Sequence, residues 1–67
     1  MIFFENSTRA DFNLDNLEVV KQNIKRLGID CKISIPSYSD QYRGANEGCI
    51  IFKNEMSQRE QNFLQNL

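Results

Sequence analysis

The sequence contains no histidine. That absence removes Ser-His and Cys-His nucleophile activation, histidine general bases and most zinc sites at once. Two cysteines, Cys31 and Cys49, cannot close a structural zinc site within one chain without histidine. They are also too few for the disulfide framework of a small secreted domain, which usually holds about four or more. Long hydrophobic runs are missing too. The opening run, Met1 to Phe4, has no basic flank and only four apolar residues, so it predicts neither a secretory leader nor a membrane span. Together these features predict a reduced, cytoplasmic protein. Strong charge is lacking as well: the formal net charge is −1, with Lys and Arg interleaved among Asp and Glu. A balance this weak does not steer a chain to nucleic acid or to an anionic membrane, and a DNA mimic needs a dense acidic face. No glycine-rich phosphate loop, paired-carboxylate motif, aromatic nucleic-acid platform, repeat or low-complexity stretch occurs.

What is present is ordinary for a globular chain: 67 residues, 40% apolar and 25% charged. This length predicts one domain spanning residues 1–67. A domain so short buries only about 60% of the surface its unfolded form exposes. Its core is small, and it depends on tight packing, a partner or self-association.

Ile2-Phe3-Phe4 predicts a first strand, and the polar residues 5–13 a connection. Leu17, Val20, Ile24 and Leu27 step by three, four and three, which places them on one stripe of a helix. Asp15 and Glu18 have capping-box spacing, with Leu14 and Val19 placed as a hydrophobic staple. Lys25 and Arg26 suit the last turn, and Gly28 supplies a left-handed stop. Ile29, Cys31, Ile33 and Ile35 then alternate with polar residues, the period of a half-buried strand, and Pro36 ends it. Residues 37–47 show no helical or strand period. Cys49-Ile50-Ile51-Phe52 is apolar on both sides, as a central strand is. A second helix starts near Asn54 or Ser57. Ser57 and Glu60 form a capping box there, and Met56, Phe63, Leu64 and Leu67 form a thinner apolar stripe.

These elements predict an α+β fold of order βαββα. The first helix acts as a crossover, so the strands it joins run parallel. Inserting the last strand between them gives a truncated ferredoxin-like sheet of three strands, order 1-3-2, with two helices on one face. Ile2, Phe3 and Phe4 then form an unprotected edge, and the second sheet face is open. A homodimer through that edge or that face is one expectation. In the predicted hairpin Ile35 faces Cys49 or Ile50, leaving the two cysteines more than about 10 Å apart as free thiols.

Cys31, on the dry face of its strand, reads as a small core residue. Cys49 is more open. It follows Gly48 at the mouth of a long loop, with Arg43 and Lys53 near in sequence to favour a thiolate. Tyr38, Asp40, Tyr42 and Arg43 form the best candidate binding patch, because tyrosine and arginine are frequent interface anchors. The Asn6-Ser7-Thr8 triplet has the form of a glycosylation acceptor, but carries no such reading without a secretory signal.

Several pieces taken together resemble a family of small sulfur- or selenium-carrier-like proteins of unknown function. They are the passage from Phe3 to Thr8, Leu27-Gly28-Ile29, Ile35-Pro36, and Gly48-Cys49-Ile50-Ile51-Phe52. The family pattern has Cys-Gly where this chain has Gly-Cys, and a basic residue where Ser37 follows the proline. The resemblance implies a persulfide or selenide carried on Cys49. From the residues themselves the leading expectation is a non-catalytic protein-binding module: a regulator, inhibitor or accessory subunit. It would grip a larger protein through the 37–47 loop or the sheet edge, with no cofactor, metal, nucleic acid or membrane. A thiol carrier acting through Cys49 is the alternative.

Overall fold

A computed structural model describes residues 2–66; Met1 and Leu67, the last member of the expected helical stripe, lie outside the described residues. The chain is α+β. Its elements run β1 (Ile2–Asn6), β2 (Arg9–Asn13), a 3-10 turn (Leu14–Asn16), α1 (Leu17–Leu27), β3 (Cys31–Ser34), α2 (Tyr38–Tyr42), β4 (Glu47–Phe52) and α3 (Gln58–Gln65). The sheet has four strands in the order β1-β2-β4-β3, and every neighbouring pair is antiparallel.

This corrects the expected three-stranded 1-3-2 sheet. The strand that feeds α1 is Arg9–Asn13, within the stretch expected to be a connection. It runs parallel to β3 with β4 between them, so the last strand does insert between the two that the helix joins. Ile2–Asn6 is an added edge strand, antiparallel to β2. Its hairpin turns at Ser7-Thr8, where the Asn6 side chain accepts from the Thr8 backbone N–H at 2.9 Å and from the Thr8 hydroxyl at 3.0 Å. No non-glycine residue among those described has positive φ, so the turn is not of the primed kind that matches strand twist. The ladder compensates with a register shift between Phe4 and Asn6, which sets Glu5 out of line. That bulge also blunts an edge that looked unprotected in sequence.

Strand pairing sorts the side chains. Ile2 faces Phe12, Phe4 faces Ala10, Ala10 and Ile33 face Ile50, Phe12 faces Gly48, and Cys31 faces Phe52. All of these point to the face that carries the core. Val20 and Ile24 of α1, Met56, and Leu64 of α3 complete one buried cluster with them. The Phe4 and Phe52 rings stack at 5.3 Å. Phe12 is 1% exposed, and a Cβ added to Gly48 would stand 2.9 Å from two of its ring carbons. Glycine is therefore needed at position 48 because the Phe12 ring lies flat over the backbone. The Ser7 carbonyl accepts from the Met56 N–H at 2.7 Å, and the Thr8 carbonyl from the Phe52 N–H at 2.8 Å, which ties the approach to α3 onto the β-hairpin.

Helix ends follow local chemistry. Gly28 stops α1 at φ 68°, as expected. The start of α1 differs: the Asn13 side chain caps a 3-10 turn through the Asp15 N–H, the expected Asp15 cap does not form, and Val19 is half exposed. Leu27, expected on the buried stripe, is also partly exposed, as is Ile35, because β3 ends at Ser34. The α3 capping box forms in full: the Glu60 N–H donates to the Ser57 hydroxyl, and the Ser57 N–H to the Glu60 carboxylate.

Gly48→Ala forces the Phe12 ring to move and is expected to cost about 2 kcal/mol, lowering Tm by about 10 °C in a domain this size. Thermal unfolding followed by circular dichroism reads it directly. The Ser57 N–H and hydroxyl hold the Glu60 carboxyl below its ordinary range. Because its pKa is depressed in the folded state, its contribution is present above the unfolded-state value and lost as pH falls through the folded one. Titration from neutral to acid pH is expected to loosen α3, and Glu60→Gln to remove that part of the pH dependence.

Candidate functional site

The segment 37–47 carries a short helix that the missing periodicity did not predict. Ser37 caps it, accepting from the Asp40 N–H at 3.1 Å. The Gln41 side-chain amide donates back to the Pro36 carbonyl at 2.9 Å, and the Ala45 N–H donates to the Asp40 carbonyl at 2.9 Å. Both ends of α2 are thus fixed by hydrogen bonds even though none of its residues is buried. One turn apart on this frame, Tyr38 and Tyr42 are 88% and 90% exposed. With Gln41 they line a shallow hollow. Asp40 and Arg43 are exposed on the same segment, and among the described residues Arg43 makes no ion pair. Four of the five expected site residues therefore share one small projecting unit.

Cys49 does not join them. It sits on β4, on the sheet face turned away from the core, opposite Asp11 on one side and Ser34 on the other. The expected hairpin register, with Ile35 facing Cys49 or Ile50, was one or two residues out, since Ser34 faces Cys49 and Ile33 faces Ile50. Pairing places neither Arg43 nor Lys53 opposite the thiol, and Lys53 lies four residues on, about 13 Å along an extended chain. An acidic side chain, Asp11, is its cross-strand neighbour instead.

Both thiols are free, and the reason is stronger than their spacing. Cys31 pairs with Phe52 on the core face, while Cys49 belongs to the opposite face, so their side chains point apart. Burial pushes the Cys31 thiol up from its ordinary value, and the Asp30 carboxylate adds to the effect.

Two features escaped sequence reasoning. The first is the share of the open sheet face that β2 supplies, whose signal was the polar–apolar alternation of Arg9-Ala10-Asp11-Phe12-Asn13. The second is a shallow apolar groove between the end of α1 and α3, lined by Leu27, Ile29, Met56 and Phe63 among others. Phe63 is 55% exposed, whereas Met56 and Leu64 are buried. Among the described residues no three Cys, Asp or Glu side chains gather as a metal site, and no helix is long and apolar enough to cross a membrane.

No protein-family model matches this chain, and neither curated proteins nor solved structures yield a match.

Thiolate is the species that alkylates, so a raised pKa slows the reaction. Iodoacetamide at mildly alkaline pH is expected to label Cys49 before Cys31 in the folded protein, as read by peptide mass spectrometry. Asp30→Asn removes the smaller of the two causes and is expected to speed Cys31 labelling modestly, leaving it slower than in the unfolded chain.

Proposed function

We propose that this chain is a non-catalytic binding module that presents Tyr38 and Tyr42 to a larger protein. The observation that supports this reading is the near-complete exposure of two tyrosines on a helix of only five residues that is nonetheless fixed at both ends. Tyrosine offers a large contact area with few rotatable bonds, and a fixed backbone reduces the ordering cost of binding. Arg43 supplies a charged anchor beside them, and Asp40 a matching acceptor. The partner for such a patch is a protein groove with apolar walls and hydrogen-bonding groups for the phenolic hydroxyls. A regulator, inhibitor or accessory subunit works this way, without catalytic groups of its own.

A thiol carrier acting through Cys49 is the second reading. It draws support from the placement of Cys49 outside the core, where a carried sulfur or selenium atom has room. What weighs against it is that strand pairing sets neither Arg43 nor Lys53 opposite the thiol; its cross-strand neighbours are Asp11 and Ser34. Slow labelling of both thiols at neutral pH in the folded protein would end this reading.

Tyr38→Ala/Tyr42→Ala removes the proposed anchors without touching the core. Its Tm is expected to stay within about 3 °C of the parent, because exposed substitutions change stability by about 0.5 kcal/mol or less. Partners cross-linked to the parent chain and identified by mass spectrometry are expected to fall by at least about tenfold with the double variant. Equal recovery with both chains would refute the assignment of binding to α2.

A further inference from the structure

The sheet face turned away from α1 and α3 is built from alternate residues of all four strands. Register arranges them in rows across the strands. One row runs Phe3, Asp11, Cys49, Ser34, and the next runs Arg9, Ile51, Lys32. Glu5, in the β1 bulge, stands beside Arg9 with a 3.2 Å ion pair, and Glu47 opposes Asn13 beyond the first row. None of these residues is buried; Phe3 is 68% exposed and Ile51 46%.

Charge is separated along the strand direction. Asp11 and Glu47 lie toward the end nearer α2. Arg9, Lys32 and Lys53 lie toward the other end, partly offset by Glu5 and by Asp30, whose carbonyl accepts from the Lys53 N–H. Cys49 and Ile51 are apolar neighbours on β4, and Phe3 stands on the edge strand, across Asp11 and Arg9 of β2 from them. A face with this pattern is complementary to itself. Consider a two-fold axis lying in the face, perpendicular to the strands and between the two rows. It sets each row over its neighbour in a second copy. Arg9 then meets the second copy's Asp11, and Ile51 meets its Cys49, each contact occurring twice.

We infer that this face is an interface between two copies of the chain, stacked sheet on sheet at about 10 Å. Four strands at about 4.8 Å and about five residues at 3.4 Å give a face of roughly 300 Å² in projection. Stable interfaces bury about 800 Å² per partner. The dimer is therefore a dissociable one, in the micromolar-to-millimolar range, held in register by the Arg9–Asp11 pairs. The inference is independent of the reading of Tyr38 and Tyr42, because α2 contributes no residue to these rows.

Sedimentation equilibrium of the full chain, from micromolar to millimolar concentration at low and high salt, tests it. The expected result is a monomer–dimer equilibrium that weakens with salt. Asp11→Arg places like charges across the axis and is expected to weaken association by at least about tenfold. Arg9→Asp/Asp11→Arg exchanges the charges and is expected to recover most of that loss. A readout without substitution covers the case in which these variants fold poorly. Cys49 alkylation is expected to slow as concentration passes through the dimerisation range, while Cys31, on the core face, keeps its rate. A chain that stays monomeric at millimolar concentration would overturn the inference. So would a folded double variant as weak as Asp11→Arg, or Cys49 labelling that does not change with concentration.

Discussion

The pairing of β4 on both of its edges is the constraint on which the rest of this structure depends. Residues 47–52 hold β2 on one side and β3 on the other. Only through β4 do the β1–β2 hairpin and the α1–β3 segment belong to a single sheet. Ile50 reaches 0% exposure because Ala10 and Ile33 flank it on the core face. At the neighbouring position, Gly48 leaves the space that the Phe12 ring fills. A small residue and a large one thus interdigitate across the β2–β4 ladder, which is how a core this small reaches native packing density.

The same strand separates the molecule's surfaces. Its even-numbered residues face the core, and its odd-numbered residues, Glu47, Cys49 and Ile51, face the open side. A one-residue slip would exchange the two sets and place a carboxylate in the core. The tyrosine-bearing helix hangs between β3 and β4, so its position is also set by this register. Binding surface and core are therefore coupled through backbone pairing, with no side-chain network needed to link them.

Much of this was legible in the sequence. The apolar run 49–52 marked the central strand, Gly28 marked the end of α1, and Ser57 with Glu60 marked the start of α3. What was missed shares one physical cause. Arg9–Asn13 alternates correctly, but its inward residues are only Ala10 and Phe12. A strand with so little apolar surface acquires its conformation from its two neighbours rather than from its own pattern. The helix α2 was hidden for the same reason, since it is fixed by a cap and turn hydrogen bonds and buries nothing. Of the candidate site, Tyr38, Asp40, Tyr42 and Arg43 fell together as their sequence proximity suggested. Cys49 fell apart from them because strand parity, which one sequence fixes only once the register is known, turned it to the other face.

The insertion of β4 also has a consequence during synthesis. Until residues 47–52 have left the ribosome, β3 has no strand to pair with and the hairpin β1–β2 stands alone, and an isolated two-stranded hairpin is at best marginally stable in water. More than three quarters of these 67 residues must therefore be made before any of them can settle. Folding of the nascent polypeptide is then a late, concerted event, and until it occurs the apolar segments at positions 2–4 and 29–35 are exposed to whatever binds extended chains in the cell.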